Sequence, residues 1–381
     1  MRKRFAIFFM AMLFALIFCM PGYAATVCKI GSKGYSSLQK AVNAVEDGEV
    51  ISLTKSVKTS VRVNIPAGKT FTIDFAKKKY ICTQSGETAF IIGNNANVTM
   101  KNAKIEATIA FNVQAGSGKV ATLTFQSGTV KAGHIVVSGL MFVKGGTFIS
   151  EEQYNGPLFG VNVSGELTIS KGTFSGRVLS NAGITTIKGG TFTNTGEKNL
   201  ILNHGKLTVT KGVFRSDRGP NVDNEATLII KGGDFSSGLT TIIGERGSKA
   251  TISGGTFATA SQETGNTSLL MNPDAKLTLK GGTFSSQIYI SGTATISGGK
   301  STWGGITCGG GKVTIKKFTA DMPNGYTGAC LFAENGTITV KGGSYKAPNG
   351  IGYKLFGSGK VMFSGVKAAD LFQVKTLKVQ E

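Results

Sequence analysis

The chain has 381 residues, with 42 Lys and Arg against 21 Asp and Glu, and a formal net charge of +21. With 2 histidines, and cysteines that lack metal-ligand spacing, the composition excludes a zinc centre. A chain this basic is drawn to polyanions such as acidic polysaccharide, teichoic acid, anionic lipid or nucleic acid, although lysines also keep a flat β surface solvated and block edge pairing.

Residues 1–24 read as a secretory signal peptide. Arg2, Lys3 and Arg4 form the basic start, Phe5 to Met20 the apolar core, and Gly22-Tyr23-Ala24 the small-residue cleavage site. The apolar run is short for a membrane span, Pro21 and Gly22 interrupt it, and no second such run follows. The expectation is export to the bacterial exterior or cell surface, with no transmembrane segment after cleavage. The oligomeric state is left open.

Residues 25–48 form a short N-terminal unit containing "YSSLQKAVNAVEDGE". Ser36 and Gln39 fit a capping box. Leu38, Ala41, Val42 and Val45 fall on one helical face, and Gly48 ends the segment, which predicts an amphipathic helix over Ser36–Glu46.

Residues 49–381 repeat one phrase: "LTISKGTFSG", "TTIKGGTFTN", "ATISGGTFAT", "LTLKGGTFSS". The last apolar residue before the glycines serves as an anchor: Leu53, Phe75, Met100, Phe125, Val143, Ile169, Ile187, Val209, Ile230, Ile252, Leu279, Ile296, Ile315, Val340 and Phe363. The mean step is about 22 residues. Propeller blades need about 40 or more residues, and helical repeats need a 3.6-residue pattern instead of this two-residue alternation. A parallel β-helix fits, one turn of strands per repeat, roughly 70 Å long at the usual strand spacing. Phe148, Phe174, Phe192, Phe214, Phe235, Phe257, Phe284 and Tyr345 each lie five residues past an anchor, which predicts an internal aromatic ladder. Asn181, Asn203 and Asn224 lie six before theirs, with Asn272 and Asn335 near that offset.

Stacked asparagines and an amphipathic helix ahead of the first coil resemble the right-handed parallel β-helices of the pectin lyase-like superfamily, particularly secreted surface or adhesin types with degenerate GGTF repeats. The resemblance covers the mature chain and implies an all-β, single-stranded right-handed solenoid. It implies no single activity, because that superfamily holds lyases, hydrolases, esterases, adhesins and phage spikes.

A lyase of this superfamily implies Asp and Glu calcium ligands on adjacent coils, with Arg or Lys as base. The nearest cluster here is Arg215, Asp217, Arg218, Asp223, Glu225 and Asp234, with Glu245 and Arg246 one coil later, and Asp223 and Glu225 are two apart on one strand face. No stretch resembles the paired-arginine lyase signature. "NHGK" (Asn203–Lys206) echoes the hydrolases' Gly-His-Gly, yet there is no Asp-Asp pair to accompany it. Exposed aromatics for sugar stacking reduce to Trp303, Tyr154, Tyr289, Tyr326 and Tyr353.

Binding fits the pattern better than catalysis. Thr186, Thr208, Thr251 and Thr278, with Thr168, Thr295, Thr314 and Thr339, immediately precede their anchors, while Lys144, Lys188, Lys231, Lys280, Lys316 and Lys341 immediately follow theirs. Stacked coils would turn these into parallel rows of hydroxyl and ammonium groups. The expectation is a non-catalytic surface or adhesin-like protein that binds an acidic polysaccharide or cell-wall polyanion, with no specific nucleic acid and no cofactor. The alternative is a polysaccharide lyase or glycoside hydrolase on an acidic glycan, and only that alternative calls for calcium. Four cysteines in the mature chain, Cys28, Cys82, Cys308 and Cys330, allow three pairings. Cys308 and Cys330 form one candidate disulfide, although aligned on the repeat they stand seven and ten residues before their anchors.

Overall fold

A computed structural model describes residues 25–84, 86–116, 118–151, 156–260 and 266–381; the signal-peptide reading of 1–24 and Tyr154 lie outside them. The fold is an all-β right-handed parallel solenoid of about 15 turns with about 22 residues per turn. Each turn contributes three short strands, illustrated by Ile184–Ile187, Thr191–Asn194 and Ile201–Asn203. We call the three stacks the anchor, aromatic and third sheets. Towards the N-terminus the aromatic and third strands merge into single long strands, Ala103–Val113 and Gly128–Val137.

Register is maintained residue for residue over most of the anchor sheet. Val143, Ile169, Ile187, Val209, Ile230, Ile252, Leu279, Ile296, Ile315, Val340 and Phe363 pair in unbroken succession. The first two coils are displaced from the sequence alignment. Ile51 and Ile73, not Leu53 and Phe75, pair in line with Met100. The shift is two residues, so Leu53 and Phe75 still face inward; alternation fixes the face of a residue but not its rung.

The phenylalanines form the predicted ladder. From Phe174 to Phe284 successive rings are stacked with centroids 4.5 to 5.1 Å apart and planes within 8° of parallel. These distances equal the strand spacing, so the backbone sets the stack and the rings follow it. The ladder breaks at Ser301 and Ala320, which occupy the same column before Tyr345 and Phe372 resume it. Phe318, two residues before Ala320, is buried against Gly299 as Phe284 is against Gly282, and so supplies an aromatic ring near the gap.

Of each glycine pair the second adopts the positive φ, while some first glycines lie against a backbone carbonyl that a Cβ would meet at 2.6 Å (Gly254), 2.5 Å (Gly281) or 2.2 Å (Gly298). Gly190 has φ of +115°, and a Cβ there would meet Gly172 O at 3.0 Å and the rings of Phe174 and Phe192 at 3.3 Å. The first position carries lysine in two coils, Lys171 before Gly172 and Lys211 before Gly212.

Asn181, Asn203 and Asn224 are fully buried and linked in series, Asn181 Nδ2 donating to Asn203 Oδ1 at 2.7 Å and Asn203 Nδ2 to Asn224 Oδ1 at 2.6 Å. Thr185 stands in the inward slot that Leu167 and Leu207 fill in the adjacent coils, and its hydroxyl donates to Asn181 Oδ1 at 2.8 Å. That substitution satisfies the acceptor at the end of the ladder, as burial demands. Asn272 and Asn335 do not join: the in-register column continues through Gly244 and Met271, and Asn272 instead donates to Glu245.

The helix α1 spans Leu38–Ala44, shorter than the sequence pattern suggested. Its N-cap is Ser37, whose hydroxyl accepts from the Lys40 backbone N–H, not Ser36. Gln39 does not complete a capping box. Its side chain bonds both backbone groups of Asn64, tying α1 to the strand Val63–Ile65. Leu38, Ala41 and Val42 are buried against the first coils.

Phe214 lies at the centre of the ladder with a ring on each side, so Phe214→Ala should cost about 3–5 kcal/mol. Chemical denaturation of the variant should show the midpoint fall by the corresponding amount. An unchanged midpoint would mean the ladder does not bear on stability.

Candidate functional site

The outer face of the anchor sheet is built by the two-residue alternation that buries the anchors. Threonines 168, 186, 208, 251, 278, 295, 314 and 339 pair in one column, interrupted by Ile229. Lys144, Lys188, Lys231, Lys280, Lys316 and Lys341 follow the anchors and remain in the ladder, because their backbone N–H groups bond the anchor carbonyl of the preceding coil. Serines and threonines fill most intervening rungs, Ser170, Thr210, Ser253 and Ser297. All six lysines are exposed.

Sequence reasoning missed a second lysine column on this face. Lys206, Lys249, Lys276, Lys312 and Lys360 stand three residues before their anchors, in register with Thr227, Thr293 and Thr337. The signal was present as the polar residue opening each anchor strand, but it is absent in the coils of Val143 and Ile187. At two-residue spacing along a strand, each lysine column lies ~7 Å from the threonines, so the two are ~13 Å apart. None of these lysines enters an ion pair among the described residues. Lys144 lies over the Phe142 ring, 5.7 Å from its centroid. Two acids share these columns: Glu166 in the second, and Asp74 in the first, where it stands in register with Lys101, the lysine that follows Met100, and pairs with it at 3.5 Å.

The catalytic candidates do not converge. Arg215 on the aromatic sheet pairs with Asp234, and Arg218 pairs with Glu197 at 3.2 Å. Arg246 pairs with Asp274 at 3.1 Å, and Glu225 with His204 at 2.8 Å. Arg218 lines a shallow cleft of about 550 Å³ with Glu197, Asp217, Gly238 and Leu239, and neither Asp223 nor Glu225 is part of that lining.

Asp223 is the perturbed member of the set. It sits on the outer face of the third sheet between Leu202 and Ile243, receives one bond from Asn199 Nδ2 at 3.2 Å, and leaves Oδ1 buried without a partner. Burial raises its carboxyl pKa; the charges of Glu245 and Glu225 add to the rise, while the Asn199 bond and His204 oppose it. Glu245 accepts from Asn272, so the three acids point to separate partners and do not form a common ligand set. Among the described residues no three His, Cys, Asp or Glu side chains gather into a metal-holding group. The residues therefore do not fit the calcium that the lyase alternative requires.

The Cys308–Cys330 disulfide is not formed: both thiols are free and buried, as are Cys28 and Cys82. Cys308 pairs with Ala333, whereas Leu331, beside Cys330, pairs with Ile306. The two are thus three residues out of register, ~10 Å along the strand, beyond the Cα reach of a disulfide. Among outward aromatics, the sequence reading overlooked Phe332, which stands in the column of Tyr289 and Thr307 with Lys354 over its ring.

No family model, curated protein or solved structure matches this chain significantly. Among the described residues, no helix is long and apolar enough to cross a membrane.

The raised Asp223 pKa gives a pH-dependent prediction. The folded state holds this proton more tightly than the unfolded chain, so ionised Asp223 destabilises the fold once pH rises above its folded pKa. Asp223→Asn should raise the urea midpoint at pH 7, and the difference should shrink as pH falls through the raised pKa towards the ordinary carboxylate range. A difference independent of pH would contradict this assignment.

Proposed function

We propose that this is an exported, non-catalytic β-helix protein that binds an acidic polysaccharide or other cell-wall polyanion through the outer face of the anchor sheet. The observation that carries the reading is the pair of lysine columns running from Lys144 to Lys360 on one face, exposed and without ion-pair partners among the described residues. Lysines whose only task was solubility would serve equally well scattered or paired; these are in register. The resemblance to secreted adhesin-type members of the pectin lyase-like superfamily agrees with this reading, and so does the secretory pattern of residues 1–24. Binding of this kind needs no cofactor.

The lyase or hydrolase alternative ranks second. It would have to use Arg215, Arg218, Asp223, Glu225 or Arg246, each already engaged with a different partner.

Retention on an immobilised acidic polysaccharide, measured against salt, tests the proposal beside an assay for unsaturated uronide release. Replacing Lys188, Lys231, Lys280 and Lys316 together with Gln should weaken binding about tenfold or more, at ~0.5 kcal/mol or more per lost charge. Wild-type retention should fall as salt rises, since exposed charges are screened. Salt-insensitive retention would remove the electrostatic basis, and uronide release would establish catalysis instead.

A further inference from the structure

Resting on the polyanion-binding reading, we propose that the ligand is an extended acidic polysaccharide ribbon, lying along the solenoid axis over the threonine column, with carboxylates projecting alternately to its two edges. The anchor-sheet face has a trough-and-rail form. Threonine side chains are short and half-buried, whereas the flanking lysines are long and exposed. The trough therefore runs along the axis, bounded by ammonium rails ~13 Å apart at their Cα positions.

The order of the lysines sharpens this form. In the coil of Ile187 the outward lysine is Lys188, on the rail after the anchor. In the coil of Val209 it is Lys206, on the opposite rail. Lys231, Lys249 and Lys280 continue the exchange of sides through the coils of Ile230, Ile252 and Leu279. Over these five coils an ammonium thus appears on alternate sides for each advance of ~4.8 Å. The next coil, that of Ile296, carries Thr293 and Ser297 on the two rails, whereas that of Ile315 carries both Lys312 and Lys316. Lys171 and Lys211 add exposed charge at the corner beyond the first rail, and Lys276 lies opposite Lys280.

A polymer with a single line of charge, such as polyphosphate, would engage one rail and leave the other idle. Duplex nucleic acid carries one charge per ~1.7 Å on a helical path, far denser than these rails and turning away from them. A β-1,4-linked polyuronate rotates each sugar by about half a turn relative to the last. Its carboxylates consequently alternate between the two edges, and each sugar advances by a length comparable to the strand spacing. The threonine hydroxyls would face the sugar hydroxyls, and Ile229, set among them, would meet an apolar ring face.

Calorimetry with the full mature chain at low salt tests the inference, using β-1,4-linked polymannuronate oligomers, α-linked polygalacturonate and polyphosphate matched for charge. Polymannuronate should bind about tenfold tighter than polyphosphate. Thr251→Tyr, which blocks the trough without changing charge and suits a strand, should lose about tenfold in polymannuronate affinity. The rail variants Lys206→Gln/Lys249→Gln/Lys276→Gln and Lys188→Gln/Lys231→Gln/Lys280→Gln should each weaken it by a similar factor. If polyphosphate binds as tightly, if Thr251→Tyr has no effect, or if one rail is dispensable, the ribbon is wrong although polyanion binding stands. If none of the polymers binds, both readings fail.

Discussion

The structure depends on the backbone hydrogen bonds that run from each coil to the next, parallel to the solenoid axis. Because the anchor strands pair without slippage from Val143 to Phe363, any residue type repeated at a fixed offset becomes a column. Inward columns hold the phenylalanine ladder and the buried asparagines. Outward columns hold threonine and lysine. Interior and surface are therefore set by one constraint, and no coil can bury its rings without its neighbours.

That constraint also imposes a cost on charge. Two ammonium groups on adjacent rungs, ~4.8 Å apart, repel by about 0.9 kcal/mol even at the dielectric of water. On alternate rungs the repulsion falls to about 0.4 kcal/mol before salt screening, at a separation near the Debye length. Serine or threonine between most lysines relieves the column, and moving the lysine to the other column keeps charge on the face. Lys249 with Lys276, and Lys316 with Lys341, are the direct neighbours that depart from this rule. An external polyanion would neutralise these pairs as well as the spaced ones.

Much of the fold was legible in the sequence because its cause is periodic. Anchor spacing, the Phe offset and the central asparagines are repeated signals, and each one reports the same register. What the sequence obscured was local. Ile51 and Ile73 are offset by two from the apparent anchors, a change that alternation cannot reveal because both choices face inward. Asn272 resembles Asn224 in spacing but lies one residue beyond the ladder column, which Met271 fills. The capping role fell to Ser37 because Gln39 found a partner across the chain in Asn64. At the candidate site the Thr and first Lys columns were readable, whereas the second column was hidden by Ile184 and by threonines interleaved with its lysines. The separation of the charged cluster was unreadable, since pairings such as Arg215–Asp234 and His204–Glu225 form between coils, not along the sequence.

The central claim is that these coils stack in register and so align their lysines on one face. Pulsed dipolar spectroscopy on spin labels at Lys188→Cys and Lys316→Cys tests it most directly, the native thiols being buried. Six coil steps separate the two positions, so the account predicts a narrow distribution near ~29 Å, lengthening by ~4.8 Å when the second label moves to Lys341→Cys. A broad distribution, or a distance that does not increase with that added coil, would contradict it.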